Sequence, residues 1–144
     1  MTDKVIIVTG ASRGKYEVIV NALKNMLILP GIGLAVSRYL LGEKCKLVLV
    51  SRSKEPLNKL RDEYPQQVQV IAGDFADLDL SQRVVDHTIS TWARIDGLVI
   101  NHGVLDPVKR IGDVTAEEWR KSFDVNVFSA ISMVIPNQIR HCNG

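Results

Sequence analysis

Two cysteines, Cys45 and Cys142, are all that the chain offers for disulfide chemistry, too few for a crosslinked framework and in keeping with a reducing, cytoplasmic setting. Neither they nor His141 fall into a metal-ligand spacing, so no metal site is expected. Long apolar runs are also lacking. None reaches the roughly 18 residues of a membrane span, and no signal peptide opens the sequence. Charge of one sign is not in excess: 18 Lys and Arg stand against 16 Asp and Glu, interspersed, for a net +2, so neither nucleic acid nor a membrane is implied as a partner. Repeats and low-complexity linkers are absent as well.

What is present is enough for one domain with a core, since 46% of the 144 residues are hydrophobic. Four short apolar runs read as strands: Val5 to Val8, Lys46 to Ser51, Val68 to Ala72 and Gly97 to Asn101. Between and after them, helical patterns cover Gly33 to Leu41, Pro56 to Glu63, Leu80 to Trp92 and Thr115 to about Ile135. Thr115-Ala116-Glu117-Glu118 has the form of a capping box, in which the threonine oxygen accepts from the first free N–H groups. Strands alternating with helices predict an α/β fold, a parallel sheet with right-handed crossovers in the order 3-2-1-4.

The strand Val5 to Val8 ends in Thr9-Gly10, and the chain then reads Ala11-Ser12-Arg13-Gly14. Far along, Gly31-Ile32-Gly33 opens a helix. Deleting what lies between Gly14 and Gly31, with one of these glycines kept, gives KVIIVTGASRGIGLAVSRYLL, a strand, a glycine-rich turn and a helix start. Glycines suit such a turn because a Cβ would block both the tight backbone path and the approach of phosphates toward unpaired helix N–H groups. The rejoined string resembles the T-G-x-x-x-G-x-G fingerprint of the short-chain dehydrogenase/reductase family, which binds NAD(P)(H). Likeness to fungal members related to sepiapterin or benzil reductases is a narrower resemblance.

The resemblance implies a Rossmann-type sheet with flanking helices, cut short before strand 5, so that residues 1–144 form an incomplete NAD(P)-binding domain with 15–30 an interruption of its glycine turn. It places Gly10, Ser12, Arg13, Gly14, Gly31, Ile32 and Gly33 around the dinucleotide phosphates. Arg52, directly after the second strand where an acid would favour NAD(H), favours NADP(H), helped by Arg13. Asp74, followed by Phe75, is the candidate for the adenine amino group, with a turn aspartate as the rival reading. Asn101-His102-Gly103 matches the family's N-N-A-G, with Asn101 and Gly103 kept. His102, where a methyl group normally suffices, is expected to crowd its surroundings, and the sequence shows no partner for it.

The family's chemistry, carbonyl reduction or alcohol oxidation on small molecules, uses a serine, a tyrosine and a lysine, with an asparagine supporting a water-linked proton relay. Asn126 matches the relay asparagine. None of Tyr16, Tyr39 and Tyr64 begins a Y-x-x-x-K pattern, and no cation is thereby spaced to lower a tyrosine pKa. The resemblance also implies a homodimer through the helix Glu117 to Ile135. Two accounts of the interruption stay open. It is a functional insertion, or it is a retained intron: Gly14-Lys15-Tyr16 can be encoded GGT-AAG-TAT and Pro30-Gly31 CCA-GGN, and removing 17 codons between them keeps the frame. Three functions follow: an incomplete NADP(H)-dependent oxidoreductase without activity of its own, a non-catalytic nucleotide-binding or dimerisation module, or an interaction module built on the insertion.

Overall fold

Two apolar runs, Val5 to Val8 and Lys46 to Ser51, are buried on both faces because they form the middle of a parallel sheet. The computed structural model describes residues 3–12 and 31–141, by backbone alone beyond Ile135. The interruption at 15–30, with Arg13 and Gly14, lies outside them, as do Tyr16 and Cys142. Strands β1 (Val5–Thr9), β2 (Lys46–Ser51), β3 (Val68–Ala72) and β4 (Gly97–Val99) pair in the order β3-β2-β1-β4, all parallel. The order is the predicted one. β4 is shorter than the run Gly97 to Asn101 suggests, because Asn101 leaves the ladder and turns its side chain to the carbonyl of Gly10.

The helices divide between the two faces. On one, α1 (Ile32–Gly42) and α2 (Glu55–Glu63) supply Leu41, Leu57 and Leu60, which pack on Val8, Leu47, Leu49 and Val68. On the other, α3 (Asp79–Trp92) brings Leu80, Val84 and Val85 against Ile7, Val48 and Val50. Adjacent strand residues thus serve opposite cores, the two-residue period of a strand with no polar face. Each wholly buried aliphatic side chain contributes on the order of 1.5–3 kcal/mol relative to exposure. The two cores together therefore dominate what holds this sheet.

The predicted single helix from Thr115 is broken. It consists of α4 (Ala116–Phe123), a π-helical turn at Asp124–Phe128 and α5 (Ser129–His141). Its start obeys the capping-box reading: Thr115 Oγ1 accepts from the Glu118 N–H, and the Glu118 carboxylate accepts from the Thr115 N–H at 2.9 Å. Lys109 and that N–H bond hold the Glu118 carboxyl down at about 2. At the opposite end of the sheet, Asp96 accepts the Val5 N–H at 2.8 Å and pairs with Arg94, whose guanidinium holds its carboxyl below the usual range. These bonds tie the first residue of β1 to the start of β4.

Candidate functional site

In the order β3-β2-β1-β4 the chain adds β2 and β3 on one side of β1 and then crosses to place β4 on the other, and a crevice forms beyond the carboxyl ends of parallel strands where the strand order switches in this way. Gly10 lies there. Its φ of +63° belongs to the left-handed region, and a Cβ would stand 2.7 Å from the Asn101 carbonyl oxygen and 2.8 Å from His102 Cα. Gly33, in the first turn of α1, is packed as closely: a Cβ would meet the Gly10 carbonyl oxygen at 2.5 Å and Ala11 Cα at 2.9 Å. The two ends of the torn signature are therefore in contact, although residues 13–30 separate them in the chain.

Asn101 closes this junction. Its Nδ2 donates to the Gly10 carbonyl at 3.0 Å, and its backbone N–H donates to Thr9 Oγ1 at 3.1 Å. Gly31 precedes α1 with no side-chain cap, and the first turn carries no acidic residue. The first N–H groups of a helix have no intrahelical partner, which gives the end of α1 a partial positive charge, and no described side chain caps it. Ile32 is 74% exposed at that end, and Ser37 braces the turn from below by donating to the Gly33 carbonyl at 2.7 Å. Ser12 is half-buried beside Ala11.

Arg52 follows β2 in an exposed position and makes no ion pair with any described residue. Ser51, buried, donates to the Ser53 carbonyl and shapes the turn that carries it. Asp74 is exposed, and its Oδ1 accepts the Ala76 N–H at 3.1 Å, the turn geometry of the rival reading. Phe75 is buried at 5% exposure, with its ring stacked on His102.

Asn126 reaches back from the π-helical turn. Its Oδ1 accepts the Val104 N–H and its Nδ2 donates to the Val104 carbonyl, both at 2.8 Å, with a further bond to Ser122 at 3.2 Å. Gly103 leaves room for this, since a Cβ there would come within 3.1 Å of Asn126 Oδ1. The amide thus holds Val104 in the chain after β4 and also bonds to α4 through Ser122.

His102 does not crowd its neighbours. Nδ1 lies 2.8 Å from Thr9 Oγ1, Nε2 lies 2.6 Å from Ser129 Oγ, and the ring stacks on Phe75 with centroids 3.8 Å apart and planes within 4°. Burial pushes the imidazole below its ordinary pKa, and a hydrogen bond with the Val125 backbone opposes this in smaller measure. Sequence reasoning missed Thr9 and Ser129 as partners, because Ser129 is 27 residues away and nothing in its local pattern marks it. Among the described residues, no group of His, Cys, Asp and Glu could hold a metal ion, and no helix is long and apolar enough to cross a membrane.

Comparison with known proteins gives one consistent family. A profile of the short chain dehydrogenase family matches residues 29–136. The chain is 32% identical over 131 residues to the uncharacterized oxidoreductase YIR035C of Saccharomyces cerevisiae, covering 91% of this chain and 46% of that one. It is 32% identical over 138 residues to benzil reductase ((S)-benzoin forming) IRC24 of the same yeast, covering 91% and 46%. Among solved structures it resembles the KRED1-Pglu enzyme, with a TM-score of 0.77 and 32% identity over 94% of this chain and 50% of that one. The chain thus spans about half the length of the curated relatives it matches.

Proposed function

Since this chain belongs to the short-chain dehydrogenase family, we propose that it carries the NADP(H)-binding half of a reductase that acts on small carbonyl or alcohol substrates. The observation that carries this reading is the contact of Gly33 with Gly10 and Ala11 beneath an uncapped helix end. That pairing supports a pyrophosphate site in which the first N–H groups of α1, beyond the turn after β1, would hold the charge. Gly10, Gly31, Ile32 and Gly33 would line that end, with Ser12, Arg13 and Gly14 on the strand side. Arg52 would pair with a 2′-phosphate, Asp74 and the Phe75 backbone would face the adenine, and Asn101 and Gly103 would border the ribose and nicotinamide side. When bound, the nicotinamide supplies or accepts hydride. Asn126 enters the same proposal by fixing Val104, and with it the wall along which a water-linked relay would run.

The 144 residues contain no Y-x-x-x-K, so no tyrosine here is placed beside a lysine to give or take the proton that accompanies hydride transfer. The expected result is binding without turnover: calorimetry with the 144-residue chain shows NADPH bound more tightly than NADH, and no generic carbonyl is reduced above a buffer blank. Arg52→Ala should shrink the preference for NADPH by about tenfold or more, the worth of a charge-assisted bond to phosphate. Equal affinity for the two cofactors before substitution would refute the Arg52 assignment.

A second reading, association through α4 and α5, is favoured by one observation. Trp119, Phe123, Phe128, Ile131 and Ile135 are each more than 40% exposed, and Ile100, Ala130, Ile131, Val134 and Ile135 line an open apolar hollow of about 320 Å³. Exposed apolar area of this kind is unusual for a monomer. Sedimentation equilibrium should find a dimer that Phe123→Glu with Ile131→Glu reduces to monomer; a monomer at every concentration would end this reading.

A further inference from the structure

The hydroxyl protons around His102 determine which of its nitrogens carries hydrogen. Ser129 Oγ lies 2.6 Å from the Val125 carbonyl, which can only accept, so the Ser129 proton goes there and its oxygen accepts from Nε2–H. Thr9 Oγ1 accepts the Asn101 N–H at 3.1 Å, and its own proton has two acceptors within reach: the Val99 carbonyl at 3.3 Å or Nδ1 at 2.8 Å. A neutral ring protonated at Nε2 satisfies every group in one direction. Asn101 N–H donates to Thr9, Thr9 to Nδ1, Nε2–H to Ser129, and Ser129 to Val125. A proton added at Nδ1 forces the Thr9 hydroxyl round to its longer bond and puts a charge in a half-buried site.

We propose that His102 is a positioning residue: as a neutral Nε2–H imidazole it ties the end of β1 to α5, holding Thr9 and Asn101, and through them the glycine junction, in register for the dinucleotide. The proposal rests on the nucleotide-binding reading above. The groups packed on the ring are Thr9 from β1, Phe75 after β3, and Val125 and Ser129 from the helical turn and α5, none of them charged. Asp74 and Asp124, next in the chain to Phe75 and Val125, make no hydrogen bond to it. Burial lowers the folded-state pKa below the ordinary 6.5. The tie is therefore fully present above the unfolded-state value and is lost as pH falls through the lowered folded one.

Long-range proton–nitrogen correlation spectra of the nitrogen-15-labelled chain test the tautomer, with His102→Gln assigning the signals. At neutral pH, His102 should carry its proton on Nε2 and should titrate below 6.5. NADPH affinity, followed from neutral to mildly acidic pH by calorimetry, should fall about tenfold more in the unmodified chain than in His102→Gln, the worth of two modest hydrogen bonds. The comparison with the variant is needed because the cofactor's 2′-phosphate changes charge in the same range. An Nδ1–H tautomer, an imidazolium at neutral pH, or identical pH profiles with binding intact would overturn the role of His102 alone. No NADPH binding to either protein would overturn the nucleotide reading, and this role with it.

Discussion

Removal of residues 15–31 is expected to raise the affinity of the chain for NADPH by about a hundredfold or more, the worth of two charge-assisted hydrogen bonds from backbone N–H to phosphate. The stems of the interruption are already joined. Gly33 sits against Gly10 and Ala11, so the shortened chain must only pass from Ala11 to Gly33 through Ser12, Arg13, Gly14 and Ile32. Those five peptide links reach up to roughly 17 Å, far more than the gap between groups already in contact. Neither β1 nor α1 has to move. The turn that results brings Gly14 beside Ile32, so that consecutive N–H groups converge on one anion instead of being separated by the extra segment. Loop closure changes by only about 1.5 kcal/mol, because its entropy grows with the logarithm of length, so the two forms should melt within several degrees of each other. Calorimetry on both forms decides the matter. If deletion weakens NADPH binding, the segment is a functional insertion that contributes to the site, and the retained-intron account is wrong.

The features legible in the sequence were those with a local cause. β1, β2 and β3 are apolar runs because both faces of the sheet are covered, and Thr115 with Glu118 announces a helix start within four residues. The approach of Gly10 to Gly33 was legible only by disregarding the segment between them. The break in the long helix was not. Asp124 to Phe128 contains neither glycine nor proline, and the π-helical register accompanies a clamp on Val104, 22 residues earlier, that no local pattern records. For the same reason β4 ended early: Asn101 is drawn off by Gly10, 91 residues away. His102 read as an intruder because its two hydroxyl partners come from a different strand and a different helix. Bonds between distant residues decided each feature that was missed, and all of them meet at the candidate site.

Gly10→Ala should cost about 2–6 kcal/mol, combining left-handed strain with overpacking, and should lower the melting temperature by about 10 °C or more. Two independent penalties act at this one position. The φ of +63° disfavours any side chain, and the added methyl would stand 2.7 Å and 2.8 Å from the carbonyl oxygen and carbon of Asn101 and 2.8 Å from His102 Cα. These are backbone atoms, unable to rotate away as a side-chain tip could. Relief has to come from pushing β4's end off β1, which lengthens the Asn101 bonds to Thr9 and Gly10 and pulls His102 from Thr9. Against a total stability of about 5–15 kcal/mol, that is a large share, and any remaining folded protein should bind NADPH poorly because the same displacement opens the glycine junction. Gly42→Ala and Gly112→Ala are the controls, since a Cβ at either meets nothing within 4 Å. Thermal denaturation of the three variants should separate Gly10→Ala from the other two. If Gly10→Ala melts with the controls, β4 does not lie against the turn as described, and the crevice assigned to the dinucleotide is absent.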